Sequence, residues 1–551
     1  MSSHEYFRRR MGRLVTSTLI FSIVPILFFI AVSELTKAKG PQWLPYTFEN
    51  PYSYLFNSLL LVNGRAPNAI EHPGTTTQVF GAIVLRASSL KSNDDLVASV
   101  LRNPEQYIKV LHSALLISTA LTLWIAPWLT GLALRDYIVG LLIQAPCLFY
   151  SILLFYGILF GPDLMVVPFS VAAVCCCTLL VIPSAALTKR SILFGIGDES
   201  AVSSSTRLAR IPLLAALTGL VCALGIATKL TFFPLLLVSL LCCRSRKNLM
   251  AFTLSFTFGL AFALLPIYSQ LSRFGTWTLN LGIHSGRYDS GAVGLPQTNV
   301  YIASLLNLIQ TEPLVTIIPI TSTFVVFAFV FLFWKQPLRY TTDWRTSLGL
   351  GVIQVMSLLV IAKETGVHYL IPLSLTTGLS LVFLLRAMRT AGRSPFKRAL
   401  GWIALVGLLA LGCKSFIEET PATYAQLKEQ KADQLRLYQH AREIAKNDVR
   451  VDYFFSDSPV GALYYGNKWA AGAFGPLLDS LYPNSLFFNV FNSKFETFTS
   501  FIEPRIVLNQ YDHLYFLGRT DWIPKTDELD PKTFETIDRA GDYSLQKWTR
   551  R

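Results

Sequence analysis

The chain has 551 residues, 52% of them hydrophobic and only 15% charged, with a formal net charge of +14. A soluble globular protein carries nearer a quarter charged residues, and several apolar runs here approach or exceed the roughly 18–20 residues that cross a bilayer. A soluble domain is thereby excluded. So is a nucleic-acid binder, because most basic residues outside the C-terminal tail sit in short clusters between apolar spans, the pattern of cytoplasmic membrane loops.

The first span covers roughly Leu14 to Leu35, after Arg8, Arg9, Arg10 and Arg13. It is too long for a signal-peptide core and reads as a signal anchor that stays in the membrane. Residues 36–108 contain no full-length apolar run, and the short amphipathic pieces Tyr52–Val62 and Gln78–Leu85 suit helices lying at the interface. Further spans are expected near 111–134, 138–160, 164–187, 211–229, 231–242, 249–270, 313–334, 347–362, 367–385 and 399–414, about eleven in all. The short 231–242 run, preceded by Lys229, fits a broken hairpin with the span before it.

Charge orients the expected bundle. The clusters at Arg135, Lys189 to Arg210, Arg244 to Lys247, Lys335 to Arg345 and Arg386 to Arg398 fall in alternate loops. The positive-inside rule then puts the N-terminus in the cytoplasm, and residues 36–108, 271–312, 363–366 and the tail outside it. An integral membrane protein is the localisation this implies, and the resemblance described below makes the membrane the bacterial inner one. The expected parts are 1–35 (cytoplasmic N-terminus and first helix), 36–108 (first external loop), 109–414 (transmembrane bundle) and 415–551 (tail domain).

Beyond about 415 charge returns, with Glu418, Glu419, Lys428, Glu429, Lys431 and Asp433 on a helix leading away from the membrane. Strands are expected at Val449–Phe455, Ser485–Phe491 and His513–Leu517, with a hairpin at 534–538 and 543–549. This describes a small extracytoplasmic α/β domain. The aromatic residues Tyr453, Phe454, Phe455, Tyr464, Tyr465 and Trp469 serve either a domain core or a groove. The eight cysteines all lie within or at the ends of apolar spans and form no metal-type pairs, so they read as small lipid-compatible residues.

Four polar groups are expected on the external face. Glu49 and Glu71-His72-Pro73-Gly74 occupy the first loop, His284-Ser285-Gly286-Arg287-Tyr288 follows span 249–270, Lys363-Glu364 precedes His368-Tyr369, and Lys229 lies near the outer end of its span. Acid, imidazole and base converging on one membrane face suit a phosphate-bearing substrate and a proton transfer. Simpler uses exist for each: Glu71 and His72 as an ion pair at a turn, Arg287 snorkelling to headgroups, His368 capping a helix. A lysine inside an apolar run costs about 2.5 kcal/mol or more at helix centre, so Lys229 is paired or functional.

Tyr52-Ser53-Tyr54-Leu55 followed by Ile70-Glu71-His72-Pro73-Gly74-Thr75-Thr76-Thr77-Gln78 resembles the first external loop of bacterial GT-C glycosyltransferases. The similarity is to the branch of protein O-mannosyltransferases and lipid A aminoarabinose transferases. Ala227-Thr228-Lys229-Leu230-Thr231, the 284–288 segment and His368-Tyr369-Leu370-Ile371-Pro372 are similar too, in order over residues 49–372. The resemblance implies a GT-C fold and transfer of a sugar from a polyprenyl-phosphate carrier to a glycan, lipid or protein acceptor, with a first-loop carboxylate as general base. Relatives usually carry aspartate near the loop's start. Here Glu49 stands closest and no Asp-x-Asp pair exists, so Glu71 and Glu49 are both candidates.

Residues for the substrate are His72, Lys229, His284, Arg287, Tyr288, Lys363, His368 and Tyr369; the cations among them suit the leaving phosphate. The sequence permits a divalent metal and does not demand one. A glycolipid transporter or flippase would need polar residues at mid-membrane depth, of which Gln144 and Gln354 are the clearest. A non-catalytic envelope assembly subunit would use the tail to bind partners.

Overall fold

A computed structural model describes residues 3–44, 50–71, 74–182, 204–286, 291–294, 297–311, 313–332, 344–364, 366–390, 395–446, 448–453, 458–520, 529 and 533–550. Among these, eight helices are long and apolar enough to cross a membrane, and the protein is an integral membrane protein. The first, Val15–Lys39, exposes Ile23, Ile26 and Ile30 by more than half while burying Phe21, Phe28, Val32 and Leu35. One face is suited to lipid and the other to the bundle.

Eleven spans were expected and eight meet the length test, for local reasons. The run 138–160 breaks into Tyr137–Phe149 and Ser151–Gly157, bent by 70° at Tyr150, whose φ of −115° and ψ of 111° are extended rather than helical. Leu230–Cys242 has 13 residues by its bounds, about 20 Å of helix, short of the roughly 30 Å hydrocarbon core. Thr316–Ala328, within the helix Pro313–Leu332, is likewise a shorter apolar stretch. Two other spans overrun their expected ends. The span expected to stop near 270 continues to Ile283, and the last helix runs unbroken from Pro395 to Ile444, across the boundary expected at 415.

Small residues let the spans approach closely. A Cβ at Gly219 would lie 2.3 Å from the Phe252 carbonyl oxygen, and one at Gly259 would lie 3.1 Å from Ala223 Cβ. These contacts pack the helix Ser204–Thr228 on Arg246–Leu264. Between spans, two buried amides donate to neighbouring helices. Gln144 Nε2 donates to the Phe21 and Leu123 carbonyls at 3.0 and 2.7 Å, and Gln354 Nε2 donates to Thr376 Oγ1 at 2.7 Å.

The tail forms a seven-stranded mixed sheet: β1 Val449–Tyr453, β2 Leu486–Asn489, β3 Lys494–Glu496, β4 Phe501–Ile502, β5 His513–Arg519, β6 Phe534–Ala540 and β7 Tyr543–Thr549, in the order β4-β3-β2-β1-β5-β7-β6. β1 lies parallel to β2 and β5, and every other pair is antiparallel. The five expected strands are present, while the two shortest, β3 and β4, went unforeseen. Tyr453, Tyr464 and Tyr465 are buried, so these aromatics fill the core; Phe454 and Phe455 lie outside the described residues.

The first loop and the tail sit at the same end of the bundle. Tyr482 donates to the Leu101 carbonyl at 2.8 Å, and the Phe56 and Phe474 rings meet edge to face at 5.6 Å. The long final helix is fastened to β6 by Arg436, whose Nη1 donates to both Asp538 oxygens at 2.9 and 2.7 Å, while His440 Nδ1 lies 2.8 Å from Oδ2. Partial burial raises the Asp538 carboxyl, but hydrogen bonds from Arg436 and His440 outweigh it and hold the group at about 2. A depressed carboxyl stabilises above its ordinary value of about 3.9 and loses that contribution as pH falls through the folded value. Hydrogen exchange in β6 should therefore stay slow from neutral pH to about 4 and accelerate toward pH 2, after correction for intrinsic rates, and Asp538→Asn should abolish this acid step. Gly219→Ala should cost about 1–3 kcal/mol by overpacking, measured as a lowered melting temperature in detergent.

Candidate active site

Asp163 follows Pro162 in the first turn of the helix Pro162–Val181, where the free N–H groups and helix dipole favour a carboxylate. Lys229 stands where the helix Ser204–Thr228 gives way to a single 3-10 turn, in extended conformation with φ −158° and ψ 131°. Gly225 makes the break compact, because a Cβ there would lie 2.6 Å from the Phe232 ring that folds back on it. The Lys229 Nζ reaches Asp163 Oδ1 at 2.9 Å, with side chains 0% and 6% exposed. Each ion offsets the desolvation of the other, which alone would cost several kcal/mol.

Aromatic rings cover this pair. Lys229 Nζ sits 5.0 Å from the Tyr369 ring centroid, within cation–π range. The His368 ring lies 4.1 Å from Tyr369 and 4.9 Å from Tyr156. Gly366 leaves the room they need: a Cβ there would fall 2.7 Å from Tyr369 and 2.8 Å from His368.

The first loop joins the same cluster through its threonines. Thr75 Oγ1 donates to the Ala227 carbonyl at 3.1 Å, and the Thr76 and Thr228 hydroxyls lie 2.5 Å apart. Both threonines begin the helix Thr75–Ala87, four residues after Glu71. Glu71 is 38% exposed; its Oε2 accepts the Ile70 N–H at 3.0 Å and its Oε1 lies 3.9 Å from Arg273 Nη2.

A second polar group lies further along the helix Leu271–Ile283. Lys363 Nζ donates to the Leu281 carbonyl, beside a cleft of about 220 Å³ lined by Ser285, Gly286, Gln297, Tyr301 and Lys363. His284 caps this helix in extended conformation and bridges to Val293. The helix rises about 16 Å between Arg273, beside Glu71, and His284. The candidates therefore form two neighbouring groups rather than one: Glu71, Lys229, His368 and Tyr369 towards one end, His284 and Lys363 towards the other. Glu49, His72, Arg287 and Tyr288 lie outside the described residues.

Two acids escaped the sequence reading. Asp163 carries a usable signal, an Asp directly after Pro at the head of an apolar span. Glu105 gave none. Its carboxylate accepts the Gln42 N–H at 3.0 and 2.8 Å and the Tyr52 hydroxyl at 2.9 Å, so it clasps both flanks of the connection that contains Glu49. Burial and then the adjacent carboxylate raise the Tyr52 phenol well above its usual range, which keeps it a donor. Among the described residues, no three of His, Cys, Asp and Glu gather as metal ligands.

No family model and no curated protein matches the chain. Solved structures similar to it include ArnT from Cupriavidus metallidurans bound to undecaprenyl phosphate, at 10% identity and TM-score 0.45, over 97% of this chain and 98% of that one. The Archaeoglobus fulgidus oligosaccharyltransferase in complex with Zn and sulfate is similar at 10% identity and TM-score 0.40, over 90% of this chain and 67% of that one. AglB from the same organism, in complex with an inhibitory peptide and a dolichol-phosphate, is 11% identical with TM-score 0.40, over 90% and 69%.

Removing Lys229 strands a buried carboxylate. Lys229→Ala should cost about 3–5 kcal/mol and sharply lower the yield of folded protein, whereas the paired Lys229→Met with Asp163→Leu should recover most of that yield. Thermal unfolding of the two purified variants measures the difference.

Proposed function

We propose that the protein is a membrane glycosyltransferase that moves a sugar from a polyprenyl-phosphate-linked donor to an acceptor hydroxyl at the outer face of the bacterial inner membrane. One observation carries the reading: three of the stretches that resemble GT-C enzymes, 70–78, 227–231 and 368–372, meet in one run of contacts. Thr75 and Thr76 meet Ala227 and Thr228, Lys229 meets Tyr369, and Lys363 meets the segment leading to His284. Packing alone does not require that motifs scattered over 49–372 share one end of the bundle.

In this reading Glu71 is the first choice of general base, with Glu49 the second. The base takes the proton of the acceptor hydroxyl as its oxygen attacks the anomeric carbon. The bond from that carbon to the phosphate oxygen breaks, and polyprenyl phosphate leaves with the electron pair. Arg287 and Lys363 supply positive charge to the leaving phosphate. Lys229, committed to Asp163, acts as a buried positive pole beneath the site rather than as a mobile ligand. His368, Tyr369, His284, Tyr288 and His72 shape the sugar and acceptor pockets. A divalent ion could share the phosphate charge, and none of these steps runs through one.

A transporter is disfavoured by a specific observation. Gln144 and Gln354, its best mid-membrane residues, are fully buried and committed to bonds between helices. The assembly-subunit reading calls for an outward-facing aromatic groove on the tail, and Tyr453, Tyr464 and Tyr465 point into the core instead.

General-base catalysis contributes about 10²–10⁴-fold, so Glu71→Gln should lower transfer by at least about 100-fold without reducing membrane insertion. Mass spectrometry of envelope glycans and lipids in a deletion strain complemented with each variant reads the effect. Unchanged product with both Glu71→Gln and Glu49→Gln would sink the assignment of the base.

A further inference from the structure

The loop that carries Glu71 is bound by side chains from the helices before and after it and from residues 270–273, and by one main-chain carbonyl of the tail. From the helix Pro51–Val62, the fully buried Asn57 accepts the main-chain N–H groups of Asn68 and Ala69 on Oδ1, at 2.7 and 3.0 Å. Its Nδ2 donates to the Ser53 carbonyl at 2.7 Å and to the Trp469 carbonyl of the tail at 3.3 Å. Asn68 Nδ2 donates to the same Trp469 carbonyl at 3.2 Å. From the helix Leu271–Ile283, Arg273 Nη1 donates to Asn68 Oδ1 at 3.0 Å and Nη2 to the Asn68 carbonyl. Gln270 donates to the Pro67 carbonyl, and Gln78 to the Ala69 carbonyl at 2.8 Å.

A loop that merely joins two helices leaves its main chain to water. Here three consecutive residues, Pro67 to Ala69, have their peptide groups taken by the loop helices, the extension of a membrane span and, through Asn68, the tail domain. A general base must be held to a fraction of an ångström of its working position, and fixing the backbone just before it supplies that restraint.

We propose that Asn57 and Arg273 are positioning residues that grip the Asn68 main chain from opposite sides, N–H and C=O, and that the Trp469 carbonyl brings the tail domain into the same grip. The tail thereby sets the Glu71 loop without touching substrate. This rests on the reading of Glu71 as base and deepens it by giving the tail domain a part in transfer. Arg273 acts through its two-pronged donor on Asn68, because its 3.9 Å approach to Glu71 is between half-exposed groups, where an ion pair contributes little.

The test uses the full-length protein, with two measurements on each variant. Hydrogen exchange of the purified protein reads the Asn68 and Ala69 amides; mass spectrometry of the complemented deletion strain reads product per folded protein, using the cell's own donor and acceptor. Asn57→Ala should speed exchange at both amides about tenfold, the scale of one lost hydrogen bond, and lower product per folded protein by about as much. Arg273→Lys, which keeps the charge but not the fork, should lose as much product as Arg273→Ala. Arg273 is 47% exposed, so its variants remain informative if Asn57→Ala fails to fold.

Wild-type product with Arg273→Lys and low product with Arg273→Ala would overturn the grip in favour of simple charge. Unchanged exchange in Asn57→Ala, or faster exchange with unchanged product, would overturn it as well. Product lost in Asn57→Ala but kept in Glu71→Gln supports the positioned loop and discards Glu71 as the base, so the two failures are distinguishable.

Discussion

The site depends on one buried ion pair. Asp163 and Lys229 come from the ends of two different spans, and neither is tolerable alone in surroundings this dry. Together they pin the head of Pro162–Val181 to the break after Thr228, and everything nearby is arranged around that pin. The Tyr369 face lies against the ammonium, the His368 ring packs at a tilt on Tyr369, and the Thr75–Thr76 helix start bonds to the residues just before Lys229. The break itself is useful. The extended Lys229 between two helical pieces turns its ammonium across to a neighbouring span, while its own N–H and C=O stay bonded to Gly225 and Phe232.

The same economy governs the rest of the bundle. Polar side chains at depth are spent on neighbouring helices: Gln144 on Phe21 and Leu123, Gln354 on Thr376, Tyr150 on Thr377. The first loop and the tail meet at one end of the bundle. There the tail adds its own buried carboxylate, Glu496. Burial raises this group, but Lys468, Tyr464 and Asn492 donate to it strongly enough to hold it below its usual range, so it remains a fixed anion inside the domain.

The overlong helices place groups at the ends of the bundle. The extension to Ile283 carries Arg273 to the Glu71 loop and His284 to the second cleft, and Pro395–Ile444 carries the tail from the bundle to its docking place. A 50-residue helix transmits position over about 75 Å, which a flexible linker of equal length would not.

The membrane class, the approximate spans, the short broken helix at 230–242 and five strands of the tail were legible in the sequence, because each is written in local periodicity and composition. So was Lys229, since a charge in an apolar run advertises its own cost. Its partner was not, nor was the clasp of Glu105 on Gln42 and Tyr52, nor the bond from Asn57 to Trp469 across 412 residues. Such pairings leave no periodic trace, because a hydrogen-bonding side chain looks the same in sequence whether its partner is four residues away or four hundred. The sequence by itself therefore determined that the chain belongs in a membrane and that a charge such as Lys229 needs a partner. Only the tertiary structure decided which segments meet, the Asp163–Lys229 pair and the Thr75–Ala227 bond among them, because a buried ion pair or hydrogen bond joins segments that are distant in the chain.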